Sequence, residues 1–257
     1  MTIAPKPTIV FSIGSWLTPA SFDTLRAKLL ERLIPTEAPA HPSVGAEPPT
    51  KTLTDDISSL KSVLTRLVEE SKDVIVVGHS SGGISASGAV EGLLKTDREA
   101  AGKKGGVVMI VFMAAFVLDK GQSLLDMLGG KYLPWMDVQG NYVRCSAGAE
   151  AAFHDLTPEE QQKWSAALLH TSRELFSGAA TYEPWHQIPS AYIITEEDHA
   201  LPAQYQEIMA GKLATQFMYR LKSSHSPFLS IPDRLAEVLQ ELARTTVSKI
   251  QFLFHLG

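Results

Sequence analysis

The stretch Val74-Ile75-Val76-Val77-Gly78-His79-Ser80-Ser81-Gly82-Gly83 decides how the rest of the chain is read. Its first four residues are β-branched and apolar, the pattern of a strand buried on both faces of a parallel sheet. Gly78 to Gly82 then form G-x-S-x-G, and residues 84–94 are compatible with a helix. A serine at a sharp strand-to-helix turn sits in a strained backbone, and glycine on either side lets the chains pass without Cβ clashes. Such a turn lifts Ser80 Oγ above the sheet, beside a helix N-terminus where negative charge is favoured. A phosphate cradle is the competing reading of a glycine-rich turn. It fails on spacing, because the Gly-Lys-Ser/Thr of a P-loop is missing and the glycines do not follow G-x-G-x-x-G.

Working outward, three more short apolar runs (8–12, 107–112 and 191–195) have the same buried-strand character, and 216–221 is a weaker fifth. Helical spacing appears between them: Phe22, Leu25, Leu29 and Leu30; Ile57, Leu60, Leu64, Leu67 and Val68; and Leu235, Val238, Leu239 and Leu242 in an amphipathic C-terminal helix starting near Pro232. Strands alternating with helices predict an α/β protein with a doubly wound, mostly parallel sheet, folded as a single domain over residues 1–257. Residues 35–50 are rich in proline and small residues and read as a loop, with one poorly marked strand before it. Residues 119–186 show no convincing strand. They contain Thr157-Pro158-Glu159-Glu160, a capping box with proline at the first helical position, followed by an apolar helical pattern. They are expected to form a helical lid insertion over the C-terminal edge of the sheet. The end of the chain, 249–255, fits either a last helical turn or a docked tail.

Composition narrows the function classes. The chain has 257 residues, 44% hydrophobic and 20% charged, which suffices for a substantial core and argues against disorder. A net charge of -5 and the lack of a Lys/Arg cluster argue against nucleic acid as a partner. Cys145 is the single cysteine, which excludes an internal disulfide and any cysteine-based zinc site. The longest apolar run, 107–118, is too short to cross a membrane, so no membrane partner is expected. The first residues carry two prolines and lack the long apolar region of a signal peptide, which predicts a cytoplasmic protein.

A nucleophilic serine needs a base and an acid, in chain order Ser, acid, His for an elbow of this kind. After Ser80 the histidines are His154, His170, His186, His199, His225 and His255. His225 lies in Ser223-Ser224-His225-Ser226-Pro227, a polar loop between the last strand candidate and the final helix, where a base reaches over the sheet edge. Asp198, on the loop after the 191–195 strand, is the preferred acid, since a carboxylate there can accept the histidine Nδ1–H and hold its tautomer. Asp119, Glu196 and Glu197 are its rivals. Two backbone amides should face the developing oxyanion: that of Ser81, next to the nucleophile, and that of Ser15, in the loop that leaves the first strand through Gly14. Trp16, His79, Phe116, Trp135, Trp164 and Trp185 are candidate substrate-contacting walls, with ordinary core packing as the alternative for each aromatic.

Taken together, TIVFSIGSW and TPASF near the start, VIVVGHSSGG at the elbow, YIITEEDHALP at the acid loop and SSHSPFLS at the base resemble the α/β-hydrolases. The likeness is to their lid-bearing branch of methylesterases, hydroxynitrile lyases and small microbial esterases, and it spans nearly the whole chain. It implies Ser80 as nucleophile, Asp198 as acid, His225 as base and Ser15 with Ser81 as oxyanion donors. It also implies no metal or organic cofactor, and often a homodimer. Members commonly carry His-Gly or Pro-Gly where this chain has Ile13-Gly14. The lyases carry Lys after the catalytic histidine, where this chain has Ser226, which disfavours cyanohydrin cleavage. The expected activity is hydrolysis of a carboxylic ester or lactone of a small to medium apolar metabolite through an acyl-enzyme. A non-hydrolytic lyase or cyclase, and a small-molecule receptor with a silent triad, are the alternatives.

Overall fold

The computed structural model describes the backbone of residues 6–254 and side chains through residue 246. The strands are β1 (Thr8–Ser12), β2 (Thr36–Glu37), β3 (Asp73–His79), β4 (Gly106–Met113), β5 (Met136–Gln139), β6 (Tyr142–Cys145), β7 (Thr171–Ser172), β8 (Ser190–Thr195) and β9 (Met218–Leu221). The α-helices are α1 (Asp23–Glu31), α2 (Leu53–Glu69), α3 (Gly82–Ala89), α4 (Lys95–Ala100), α5 (Leu124–Met127), α6 (Gly148–Ala152), α7 (Pro158–Ala166), α8 (Glu174–Ser177), α9 (Ala203–Gly211), α10 (Pro227–Ser230) and α11 (Pro232–Phe254). Six strands form one sheet in the order β2-β1-β3-β4-β8-β9, and every pairing in it is parallel.

The continuous apolarity of β3 is explained by layers on both faces. Ile75 and Val77 pack with Leu25 and Leu29 of α1 and with Leu235, Val238 and Leu239 of α11. Val74 and Val76 point the other way, toward Leu60, Leu64 and Leu67 of α2 and Ala86 of α3. Alternate residues of one strand therefore serve two cores, as a doubly wound sheet requires. α2 begins with a full capping box, Thr52 accepting from the Asp55 amide while the Asp55 carboxylate accepts from that of Thr52. Leu30, placed in the apolar pattern of α1, is exposed. The helix after the elbow ends at Ala89, short of residue 94.

Residues 119–186 lie between β4 and β8, and here the expectation of a helical insertion with no convincing strand is corrected as to the strands. α5 to α8 are short, and β5, β6 and β7 form a three-stranded antiparallel sheet of their own. β5 and β6 are joined at Gly140-Asn141, with Gln139 opposite Tyr142 and Gly140 at a φ of 59°. A two-residue loop with glycine in the left-handed region is a hairpin turn matched to strand twist. Strands of four, four and two residues carry too little alternation to register as a period. The capping box predicted at Thr157 and Glu160 is present at the start of α7. At the far end α11 continues through Phe254, and His255 lies outside the described residues.

Candidate active site

β3 ends at His79 and α3 begins at Gly82, so Ser80 and Ser81 turn the corner between them. Ser80 has a φ of 54°, a conformation that costs a residue with a Cβ about 1–3 kcal/mol. Its carbonyl accepts from the amides of Gly83 and Phe116, both at 3.1 Å, so the next helix and the β4 exit hold the corner. Glycine is required at residue 78, before the corner, and at residue 14 of the β1 exit, which packs against it. A Cβ on Gly78 would stand 2.6 Å from Gly83 Cα, and one on Gly14 2.8 Å from Ser80 Cβ.

Asp198 follows β8, and its buried carboxylate collects five donors. Oδ1 accepts from the amides of Ala200 (2.9 Å) and Leu201 (2.7 Å). Oδ2 accepts from Thr195 Oγ1 (2.8 Å), Gln206 Nε2 (3.0 Å) and His225 Nδ1 (2.7 Å). The ring proton thus sits on Nδ1, and Nε2 is left as the acceptor. His225 is on the loop between β9 and α10, and its backbone is fixed from two sides. Ser224 donates its amide to Asp155 and its hydroxyl to the Ala152 carbonyl, both in the segment between β4 and β8. From below, His79 Nε2 donates to the His225 carbonyl at 2.9 Å. Burial, with the nearby His225 as a smaller cause, holds the His79 imidazole well below the usual histidine value, so it is neutral. His225 and Ser80 line the same two cavities. Among the described residues they share no hydrogen bond, a spacing common before substrate is bound.

The Ser15 amide is not free, contrary to a simple oxyanion-donor reading. It donates to Ser81 Oγ at 2.8 Å, and the Ser15 and Ser81 hydroxyls are also 2.8 Å apart. Trp16, Phe116 and Trp135 do face the cavities at Ser80. His79 also lines the smaller of the two cavities at Ser80, and it supports His225 from behind through the bond from its Nε2. Trp164 packs on the core near α6 and α7, with Lys163 over its ring, and Trp185 packs against Phe112 in the opposite core layer. Neither lines the cavities at Ser80, so both follow the packing alternative.

Two cavities of about 30 and 20 Å³ adjoin Ser80 and His225. Beside them a chamber of about 350 Å³ is lined by Met127, Leu128, Pro202, Tyr205 and Met209 among others. The 30 Å³ cavity and the chamber adjoin, sharing Phe116, Leu133, Trp135, Ala200 and Leu201 as lining.

The remaining candidates are placed elsewhere. Asp119 pairs with Lys212 at the surface, and Glu197 pairs with Lys222. Glu196 is exposed. His170 bonds the Ala46 carbonyl, His186 pairs with Glu183, and His154 stacks on His199 at 3.9 Å. Thr195 and Gln206, which donate to the Asp198 carboxylate, escaped sequence reading. The available signal is a glutamine on the inward face of α9, in line with buried Met209 and Ala210.

This constellation on a parallel sheet defines a class, and comparison with known proteins agrees. The sequence profile of the alpha/beta hydrolase family matches residues 9–238. The chain belongs to that family. It is 28% identical over 245 residues to alpha/beta hydrolase nvfD of Aspergillus novofumigatus, covering 93% of this chain and 97% of that protein. It is 28% identical over 214 residues to methylesterase 7 of Arabidopsis thaliana, covering 75% and 78%. The fold is shared with polyneuridine aldehyde esterase (TM-score 0.75, 19% identity, 93% of this chain and 99% of that one). It is shared equally with the Arabidopsis methylesterase MES16 (TM-score 0.72, 21% identity, 93% and 99%).

Proposed function

We propose that the protein is a serine esterase that hydrolyses a carboxylic ester or lactone of a small to medium apolar metabolite. The observation that carries this reading is the Asp198 Oδ2–His225 Nδ1 bond of 2.7 Å, with His225 and Ser80 on one cavity. Ser80 Oγ attacks the carbonyl carbon while His225 Nε2 takes its proton. The carbonyl oxygen, now an alkoxide, receives the Ser81 amide and displaces Ser81 Oγ from the Ser15 amide. The displaced hydroxyl keeps Ser15 Oγ as a partner. Collapse breaks the bond to the leaving alkoxide, which takes the proton from His225. Water, deprotonated by the same Nε2, then attacks the acyl-enzyme and releases Ser80 with the acid.

The division of space supports one small and one large substituent on the ester. The cavities at Ser80 hold little more than a water or a methyl group, whereas about 350 Å³ of apolar chamber stands beside them. A methyl or similarly short ester of a larger apolar acid fits this division, in keeping with the methylesterases among the relatives. A single cysteine supports a cytoplasmic setting. The test is intact-protein mass after treatment with a fluorophosphonate. One adduct is expected on the wild type and none on Ser80→Ala. An unlabelled, folded wild type would refute the reading.

A further inference from the structure

A second serine–histidine–aspartate chain lies inside the core, and acyl transfer as described makes no use of it. Ser12 closes β1, His41 sits in the loop before α2, and Asp56 lies in the first turn of α2. All three are buried, at 0%, 5% and 1% exposure. Ser12 Oγ is 3.1 Å from His41 Nε2, and His41 Nδ1 is 3.4 Å from Asp56 Oδ2 with no hydrogen bond between them. Asp56 is fixed in turn by the Ser43 amide (2.8 Å) and the Ser43 hydroxyl (2.6 Å).

Proton counting sets the direction of the chain. The Ser12 hydroxyl has one proton, and it goes to the Gly82 carbonyl at 2.8 Å. His41 Nε2 must therefore carry a proton and donate it to Ser12 Oγ. Gly82 is the residue after Ser81, and Ser15 stands three residues beyond Ser12. The Ser12–Gly82 bond thus clamps the two segments that bear the Ser15 and Ser81 amides. The packing there leaves no slack, since a Cβ on Gly82 would lie 2.6 Å from the Ile13 carbonyl oxygen.

We propose that His41, through its bond to Ser12, is a positioning residue for ester hydrolysis. By donating to Ser12 it directs the Ser12 proton onto Gly82 and fixes the separation of the two amides that receive the oxyanion. The inference rests on the reading of Ser80 as nucleophile. A hole of fixed donors is effective only while their spacing matches the alkoxide, and a misplacement of about 1 Å costs on the order of a hundredfold.

The experiment compares wild type, Ser12→Ala, His41→Leu and His41→Gln by p-nitrophenyl acetate kinetics, fluorophosphonate labelling rate and thermal melting. Ser12→Ala removes one buried oxygen and little packing volume, so a folded variant is available even where His41→Leu is not. In Ser12→Ala and His41→Leu, kcat is expected to fall about tenfold to a hundredfold with KM within about twofold, and labelling to slow in step. His41→Gln supplies an N–H near the place of Nε2 and is expected to recover most of the lost kcat. A merely structural pair would lower the melting temperature and leave kcat of the folded variants unchanged, which overturns the proposal; so would a loss confined to KM. A wild type that takes no label sinks the underlying reading and this inference with it. A labelled wild type beside variants labelled at the same rate sinks this inference alone.

Discussion

Asp198 determines which nitrogen of His225 carries the proton, and one isosteric substitution tests that. In Asp198→Asn the amide keeps one oxygen for the Ala200 and Leu201 amides. Its NH2 then faces three donors: Thr195 Oγ1, Gln206 Nε2 and His225 Nδ1. The imidazole can accept from it only by moving its own proton to Nε2, where it blocks Ser80. On the proposed mechanism, loss of kcat by about four orders of magnitude is expected, with KM little changed. Melting should also fall, since Gln206 and Thr195 lose a buried acceptor. Steady-state kinetics with circular dichroism decides: near-wild-type kcat would mean that another group orients His225. Ser80, Asp198 and His225 were legible because each is marked locally, by an elbow or by a polar loop after a strand. Gln206 was not, because its role exists only once α9 packs on β8. Nor was the Ser81 hydroxyl on the Ser15 amide, a contact across 66 positions of chain.

At the scale of elements, legibility follows length and burial. β3 and β4, seven and eight residues of nearly unbroken apolarity, declare themselves as strands buried on both faces. β5 and β6 are half-exposed, and their one marker is Gly140-Asn141 between Val138 and Val143. This small sheet matters to the site because it carries the wall. Trp135 directly precedes β5 and meets Trp16 edge-on at 5.5 Å. Trp16 in turn donates its indole N–H to the Val143 carbonyl and its amide to Thr171 Oγ1, which binds the β1 exit to β6 and β7. Trp135 lines both small cavities and the large chamber. Trp135→Ala should therefore merge the spaces while leaving Ser80 and His225 in place. Across a series of p-nitrophenyl esters, preference is expected to shift toward longer acyl chains by about tenfold in relative kcat/KM, the range set by a few methylenes in an apolar pocket. An unaltered chain-length profile would show that substrate does not reach this wall.

For the whole molecule, the alternation of strands and helices sufficed to predict a doubly wound sheet, because two core layers leave their mark on every central strand. The order β2-β1-β3-β4-β8-β9 was not legible, since pairing depends on crossovers that local pattern does not record. The same burial that marks the fold makes stability depend on pH. His79 is enclosed by Phe22, Phe228 and His225, with its ring centroid 5.0 Å from Phe228 and 4.6 Å from His225. Burial first, and the neighbouring His225 second, depress its folded value well below the ordinary 6.5. The unfolded chain binds a proton there as the pH drops through about 6.5, and the folded chain does not until a lower pH. Between those two values the unfolded state holds the extra proton. His79 therefore contributes its full stability above about pH 6.5 and loses it progressively on acidification, with a limiting slope of about 1.4 kcal/mol per pH unit. Denaturant unfolding from pH 7.5 to 5 should show this decline in the wild type. His79→Gln retains an N–H for the His225 carbonyl but cannot titrate, so its curve should be flatter by up to one proton. Parallel curves would mean that His79 is protonated inside the fold, and the neutral support assigned to it beneath His225 would be wrong.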